Sequence, residues 1–156
     1  MQWRQKFILI GLFISCFSFA DDTSIIIEEQ YQTLIQLFFA AARTGNNEVV
    51  EEFLDAGFPV NQRNSESYTA LMVAVYQGQM PTVELLLDSG ANVCLQDKRG
   101  NTALMGALLK GEIQIARMLY NSECSEDIRN KAGLSLQEFA ELYGQSETLK
   151  KLYSEN

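Results

Sequence analysis

The chain has 156 residues, with 12 Lys and Arg against 20 Asp and Glu, for a net charge of −8. That length suffices for one domain with a real core, and the acidity gives no general reason to seek nucleic acid. There is no histidine, which removes the usual general base, the Ser-His and Cys-His nucleophile pairs and the commonest zinc ligand.

The N-terminus reads as an export signal. Arg4 and Lys6 precede an apolar run from Phe7 to Phe17, and Ser18-Phe19-Ala20 puts small residues where a signal peptidase inspects the chain. The run is short for a bilayer span. Residues 1–20 are therefore expected to be cleaved, leaving a mature domain of residues 21–156 that begins at Asp21-Asp22. The alternatives are a retained amphipathic or anchored N-terminus, or a lipoprotein through Cys16. The latter is disfavoured because Phe13-Ile14-Ser15 lacks the leucine expected three places upstream. Cleavage removes two bases and no acids, taking the mature chain to −10. No other segment is long and apolar enough to enter a membrane, so the mature protein is expected to be soluble and monomeric, in the periplasm or otherwise secreted.

Beyond Ile25-Ile26-Ile27, the positions Tyr31, Leu34, Ile35, Phe38, Phe39 and Ala42 have helical spacing. This helix is expected to end at Thr44-Gly45, where glycine takes the left-handed conformation that closes a helix. A phrase then recurs. Thr69-Ala70-Leu71-Met72-Val73-Ala74-Val75-Tyr76-Gln77-Gly78 is answered by Thr102-Ala103-Leu104-Met105-Gly106-Ala107-Leu108-Leu109-Lys110-Gly111. A weaker third copy runs from Ser135 to Gly144 after the same interval, and Gly45 precedes Gly78 by that interval too. A fixed period of roughly 33 residues means an array of supersecondary units, each unable to bury its apolar face alone.

A second short helix is expected after each of these glycines. Its apolar positions are Val49, Val50, Phe53 and Leu54, then Val83, Leu86 and Leu87, then Ile115, Ala116, Met118 and Leu119, then Leu149, Leu152 and Tyr153. Pro81 falls in a first turn, where its missing N–H is harmless. Gly57 and Gly90 stop their helices, and Asp97-Lys98-Arg99-Gly100 has the chemistry of a tight reversal. The hydroxyls of Thr69 and Thr102 are placed to cap the helices that follow.

A turn with Asp97…Gly100, Thr-x-Leu opening a helix, alanine on its inner face, glycine, a second helix with Leu-Leu, then Gly90-Ala91: together these residues resemble the ankyrin repeat. The resemblance covers nearly all of the mature chain as about four units, 31–63, 64–96, 97–129 and 130–156. It implies an all-α solenoid of stacked helix-turn-helix units joined by hairpin-like turns. The outer units depart from the pattern: the first lacks its opening turn, and the last has Gln137 where the first-helix leucine belongs. Ala70 and Ala103 replace the family's usual proline, and Met72, Met105 and Glu138 its usual histidine, which is expected to loosen the local capping network.

No glycine-rich phosphate loop is present, and no cofactor or metal is expected. Glu48, Glu51, Glu52, Asp55, Glu84, Asp88 and Glu112 fall on or beside second helices at solvated spacing, as a charged outer face. An enzyme is not expected. A hydrolase or redox enzyme using Cys94 or Cys124 would need a reactive, low-pKa thiol. These two cysteines survive cleavage and stand a little less than one period apart, on adjacent repeats. By the resemblance, Cys94 takes a place usually given to asparagine and Cys124 a usually buried alanine place. A disulfide and two buried thiols both remain open.

What is left is surface recognition. Partners of ankyrin-like stacks usually contact the turn tips and the exposed side of the first helix, which line a concave groove. Carried onto this chain, the tips are Arg63, Ser65, Glu66 and Tyr68, then Gln96, Lys98, Arg99 and Asn101, then Arg129, Lys131 and Leu134. The helix positions are Arg43 and Thr44, Tyr76 and Gln77, Leu109 and Lys110, Leu142 and Tyr143. This face holds seven of the ten bases of the mature chain and, of its 20 acids, only Glu66. It also carries the aromatic anchors Tyr68, Tyr76 and Tyr143, and tyrosine and arginine dominate binding hot spots.

The expectation is a non-enzymatic protein-binding module of the cell envelope that receives an acidic surface of a partner protein. The resemblance to small exported bacterial ankyrin proteins implies an accessory or protective role for a resident enzyme. The alternative is a secreted effector or immunity-type inhibitor of a target protein.

Overall fold

The computed structural model describes residues 6–121, 124 and 128–154, with side chains from Thr23 onward. The expected signal segment lies outside these: Arg4 altogether, and Phe7 to Ala20 in their side chains. Among the described residues no helix is long and apolar enough to cross a membrane.

The described elements are all α-helical: α1 (Lys6–Thr44), α2 (Asn47–Asp55), α3 (Ala70–Tyr76), α4 (Met80–Asp88), α5 (Ala103–Lys110), α6 (Ile113–Tyr120), α7 (Leu136–Leu142) and α8 (Ser146–Ser154). The chain forms two compact units, Met1–Gln36 and Leu37–Asn156. In the first, Ile25, Ile26 and Ile27 are exposed, and Gln32 Nε2 donates to Glu28 Oε1 one turn back at 2.8 Å. Leu34, expected on the inward face of α1, is exposed, because the buried stripe is Ile35, Phe38, Phe39 and Ala42. That i, i+3, i+4, i+7 spacing leaves position 34 at its edge.

Within Leu37–Asn156 the helices come in pairs, one pair to each expected unit. Helices of seven to nine residues would not persist alone in water; packing of one pair on the next sustains them. The seam of first helices is almost wholly apolar: Ala70 to Val75 are all buried, as are Ala103, Met105, Ala107 and Leu108. Behind them Val83, Leu86, Ile115 and Leu119 are buried from the second helices, each large side chain contributing about 1.5–3 kcal/mol. At the start of this unit the rings of Phe38, Phe53 and Phe58 cluster with centroids 5.0–5.4 Å apart. The buried Thr82 hydroxyl of α4 is satisfied by Asn47 Oδ1 of α2 at 2.7 Å.

Capping follows the sequence in the middle units and exceeds expectation in the last. Thr69 and Thr102 accept from the backbone N–H of Met72 and Met105 at 3.3 Å. At α7 the substitution expected to loosen the cap instead completes it. Ser135 Oγ accepts from the Glu138 N–H at 3.3 Å, while the Glu138 carboxylate accepts from the Ser135 N–H at 2.8 Å. A glutamate three residues after a serine cap closes this box. The last pair is anchored by Phe139, Ala140, Leu149 and Leu152, all buried, whereas Tyr153 is exposed with its ring edge-on to Tyr120. On its outer flank α7 carries Gln137 and Glu141, exposed and hydrogen-bonded to each other, at positions where α3 has the buried Leu71 and Val75.

Cys94 and Cys124 are bridged, with Cα atoms 5.6 Å apart. One unit earlier the same loop junction is made by a hydrogen bond, from the Asn92 N–H to Asn61 Oδ1 at 2.8 Å. Asn61 stands one full period before Cys94, so the covalent link replaces a polar one at the equivalent position.

Candidate protein-binding face

Three turns precede the first helices α3, α5 and α7, and one side chain organises each. Asn64, Asp97 and Asn130, spaced by the period, accept with Oδ1 from the backbone N–H two and four residues on, at 2.8–3.0 Å. This is the local bonding that makes Asn and Asp turn formers. The hairpin base closes through Asn64 N–H to Tyr68 O, Asp97 N–H to Asn101 O and Asn130 N–H to Leu134 O, each 3.0 Å. Successive turns are joined by Lys98 N–H to Glu66 O at 3.3 Å and Lys131 N–H to Arg99 O at 2.9 Å. The turn tips therefore form a continuous row on the first-helix side.

Long side chains clasp this row. Arg63 Nη1 donates to Gln96 O of the next turn at 2.7 Å, and Gln96 Nε2 donates to Arg129 O of the turn after at 2.9 Å. Arg129, last in the series, donates to Gly133 O at 2.7 Å and to the Glu138 carboxylate at 2.6 Å. Arg63 and Arg129, expected on the contact face, are both exposed, with their guanidiniums engaged on their own chain. The recurrence of a long donor at positions 63, 96 and 129 was the available signal. Lys98 pairs with Glu66 at 3.3 Å, an exposed contact of little energetic weight.

The other expected residues divide cleanly. Arg43, Gln77, Arg99, Lys110 and Lys131 are exposed, as are Leu109, Leu142 and Tyr143 at 38%, 65% and 48%. Asn101, expected on the contact face, is only 8% exposed, its N–H held by Asp97 and its Oδ1 accepting from Asn130 Nδ2 at 3.0 Å. Tyr68 and Tyr76 are half-buried, edge to face at 5.7 Å. The Tyr76 ring leans over α5 at Gly106, where an added Cβ would lie 3.2 Å from its Cζ. Gly106 was missed as a determinant of this face, although the neighbouring copies carry Val73 and Phe139 at its position.

Burial pushes the Tyr76 hydroxyl up to about 12, helped by Tyr68, Asp97 and Tyr143 and opposed by Arg99. Residues of the first and second turns and of the end of α7 thus gather around one phenol. Tyr143 itself packs on Phe139 at 4.5 Å.

The expected outer acids Glu48, Glu51, Glu52, Asp55, Glu84 and Asp88 are exposed on α2 and α4, while Glu112 is half-buried. Among the described residues no group of three or more His, Cys, Asp or Glu is placed to hold a metal ion. A cleft of about 530 Å³ between the third and fourth units is lined by Leu104, Met105, Leu119, Tyr120, Leu136 and Tyr153, among others, and by none of the expected contact residues.

The family model described as ankyrin repeats (3 copies) matches residues 37–132. The fourth helix pair, α7 and α8, lies past that match. No curated protein matches the chain. With its period, its paired helices and its row of hairpin turns all in place across the matched residues, the chain belongs to the ankyrin-repeat family.

Proposed function

We propose that this protein is a non-enzymatic binding module of the cell envelope, exported by a cleaved signal, that holds a partner protein against its turn and first-helix face as an accessory or protective factor for a resident enzyme. Ankyrin repeats are generally protein-binding and non-catalytic, and stacked repeats create extended surfaces for that use. The observation that carries the reading is the division of polarity. Bases and tyrosines collect on the turn side, while exposed glutamates and aspartates line α2 and α4. A surface of one sign on a molecule of the other attracts a complementary partner and orients it during encounter. Export is supported by the N-terminal pattern of Lys6 before an apolar run and by the Cys94–Cys124 bridge, since disulfides persist in oxidising compartments.

The test is site-specific photo-crosslinking in intact cells, followed by mass spectrometry of the adduct. A crosslinker at Gln77, on the turn side, is expected to trap one resident envelope protein. A crosslinker at Glu51, on α2, is expected to trap none. Equal adducts from both positions, or none from either, would defeat the reading.

A further inference from the structure

The seven bases of the face are not equivalent. Arg63 and Arg129 donate to backbone carbonyls, and Lys98 is paired with Glu66. Of the remainder, Arg99 and Lys131 sit on neighbouring turn tips, joined through Lys131 N–H to Arg99 O. Lys110 ends α5, and Arg43 stands alone at the far end of the row, on α1. None of these four side chains has an internal partner among the described residues. The exposed apolar side chains are just as unevenly spread. Leu109, Leu142 and Tyr143 all lie at the ends of α5 and α7, whereas the corresponding positions beside Arg43 and Tyr76 are Thr44 and Gln77.

Free charge and exposed apolar surface therefore coincide at the ends of α5 and α7, over the third and fourth units; Leu37 is also exposed on α1, but it stands six residues before Arg43 and so on another side of that helix. The Tyr76 ring covers Gly106 there, and Tyr143 packs on Phe139. The nearby acids are already engaged: Asp97 is buried in its turn, Glu138 is held by Arg129, and Glu141 bonds Gln137 on the outer flank.

Building on the protein-binding reading, we propose that the third and fourth units take a short extended acidic segment of the partner, with two carboxylates bracketing one apolar side chain. One carboxylate meets Arg99 and Lys131 at the turn tips, the other meets Lys110, and the apolar side chain rests on Leu109, Leu142 and Tyr143. Spacing follows from the helix between these bases. The eight residues of α5 rise about 12 Å at 1.5 Å per residue. An extended chain covers that distance in about four residues, so the acids stand about four positions apart. Arg43 lies outside the contact.

The probe is a random peptide library displayed on phage and selected on the full mature chain, with the enriched sequence then synthesised and its affinity measured by fluorescence anisotropy. The expected result is enrichment of paired Asp or Glu about four residues apart with Leu, Phe or Tyr between them. Arg99→Glu with Lys131→Glu, and separately Lys110→Glu, are each expected to weaken the synthetic peptide about tenfold or more. Arg43→Glu is expected to leave its affinity unchanged. All four side chains are exposed, and circular dichroism of each variant checks that folding is intact. Enrichment without paired acids, no enrichment, or an Arg43→Glu loss matching that of Arg99→Glu with Lys131→Glu would each overturn the proposal. A cellular partner trapped at Gln77 whose binding survives these reversals overturns this inference alone. Failure to trap any partner there defeats the broader reading.

Discussion

Three turn residues one period apart hold the same left-handed backbone: Ser67 at φ 60°, Gly100 at φ 80° and Gly133 at φ 80°. A Cβ in that conformation costs about 1–2 kcal/mol, partly offset by the freedom a glycine loses on folding. Ser67→Gly is therefore expected to raise the free energy of unfolding by about 0.5–1 kcal/mol. Gly100→Ala should do the opposite and more strongly, because its Cβ would lie 2.6 Å from Lys131 N and 2.9 Å from Asn130 Cα. Urea unfolding of the two variants beside the parent measures both signs. The glycine at 100 was legible as a turn residue from the sequence. The strain at Ser67 was not, since serine is an ordinary turn residue until its φ is known.

Among the elements, α7 shows how a local substitution acquires a new role. Glu138 stands where α3 and α5 have methionine, and its carboxyl is held below its ordinary value of 4.5, first by the Ser135 N–H, then by the Ser135 hydroxyl and Arg129. A carboxylate so lowered contributes stability that is present above its unfolded pKa and lost as pH falls through the folded one. The parent chain is therefore expected to lose stability on acidification below about 4.5 more steeply than Glu138→Gln, whose amide does not titrate. Unfolding midpoints followed by circular dichroism across that range test it. Ser135→Ala, which removes the other half of the box, should cost about 1 kcal/mol. Helix positions and faces were readable because the apolar spacing repeats. The roles of Arg63, Gln96 and Arg129 were not, because composition does not say whether a base at a turn tip meets solvent or the carbonyl of the next turn.

Across the whole array, each unit touches only its neighbours, so a link between units has weight beyond its own contacts. The Cys94–Cys124 bridge closes a sequence separation of 30 residues, for which constraint of the unfolded chain amounts to about 3–4 kcal/mol. Cys94→Ser with Cys124→Ser is expected to lose about 3 kcal/mol of unfolding free energy. Reductant should lower the parent to the same level and leave the double variant unmoved; a parent indifferent to reductant would mean that the bridge carries no stability. The period revealed which repeats the two cysteines join. Whether they meet depended on a loop path that no periodicity encodes. The Gln137–Glu141 flank of α7 has a different consequence, for how such an array is lengthened. A unit grafted beyond α7 would enclose the Glu141 carboxylate against an apolar face, at a cost of several kcal/mol. One spliced between the second and third units would carry Cys94 and Cys124 out of reach of each other. The seams after Arg63 and Arg129 have neither obstacle, so duplication or design can extend the groove there while keeping both the covalent clasp and the polar end.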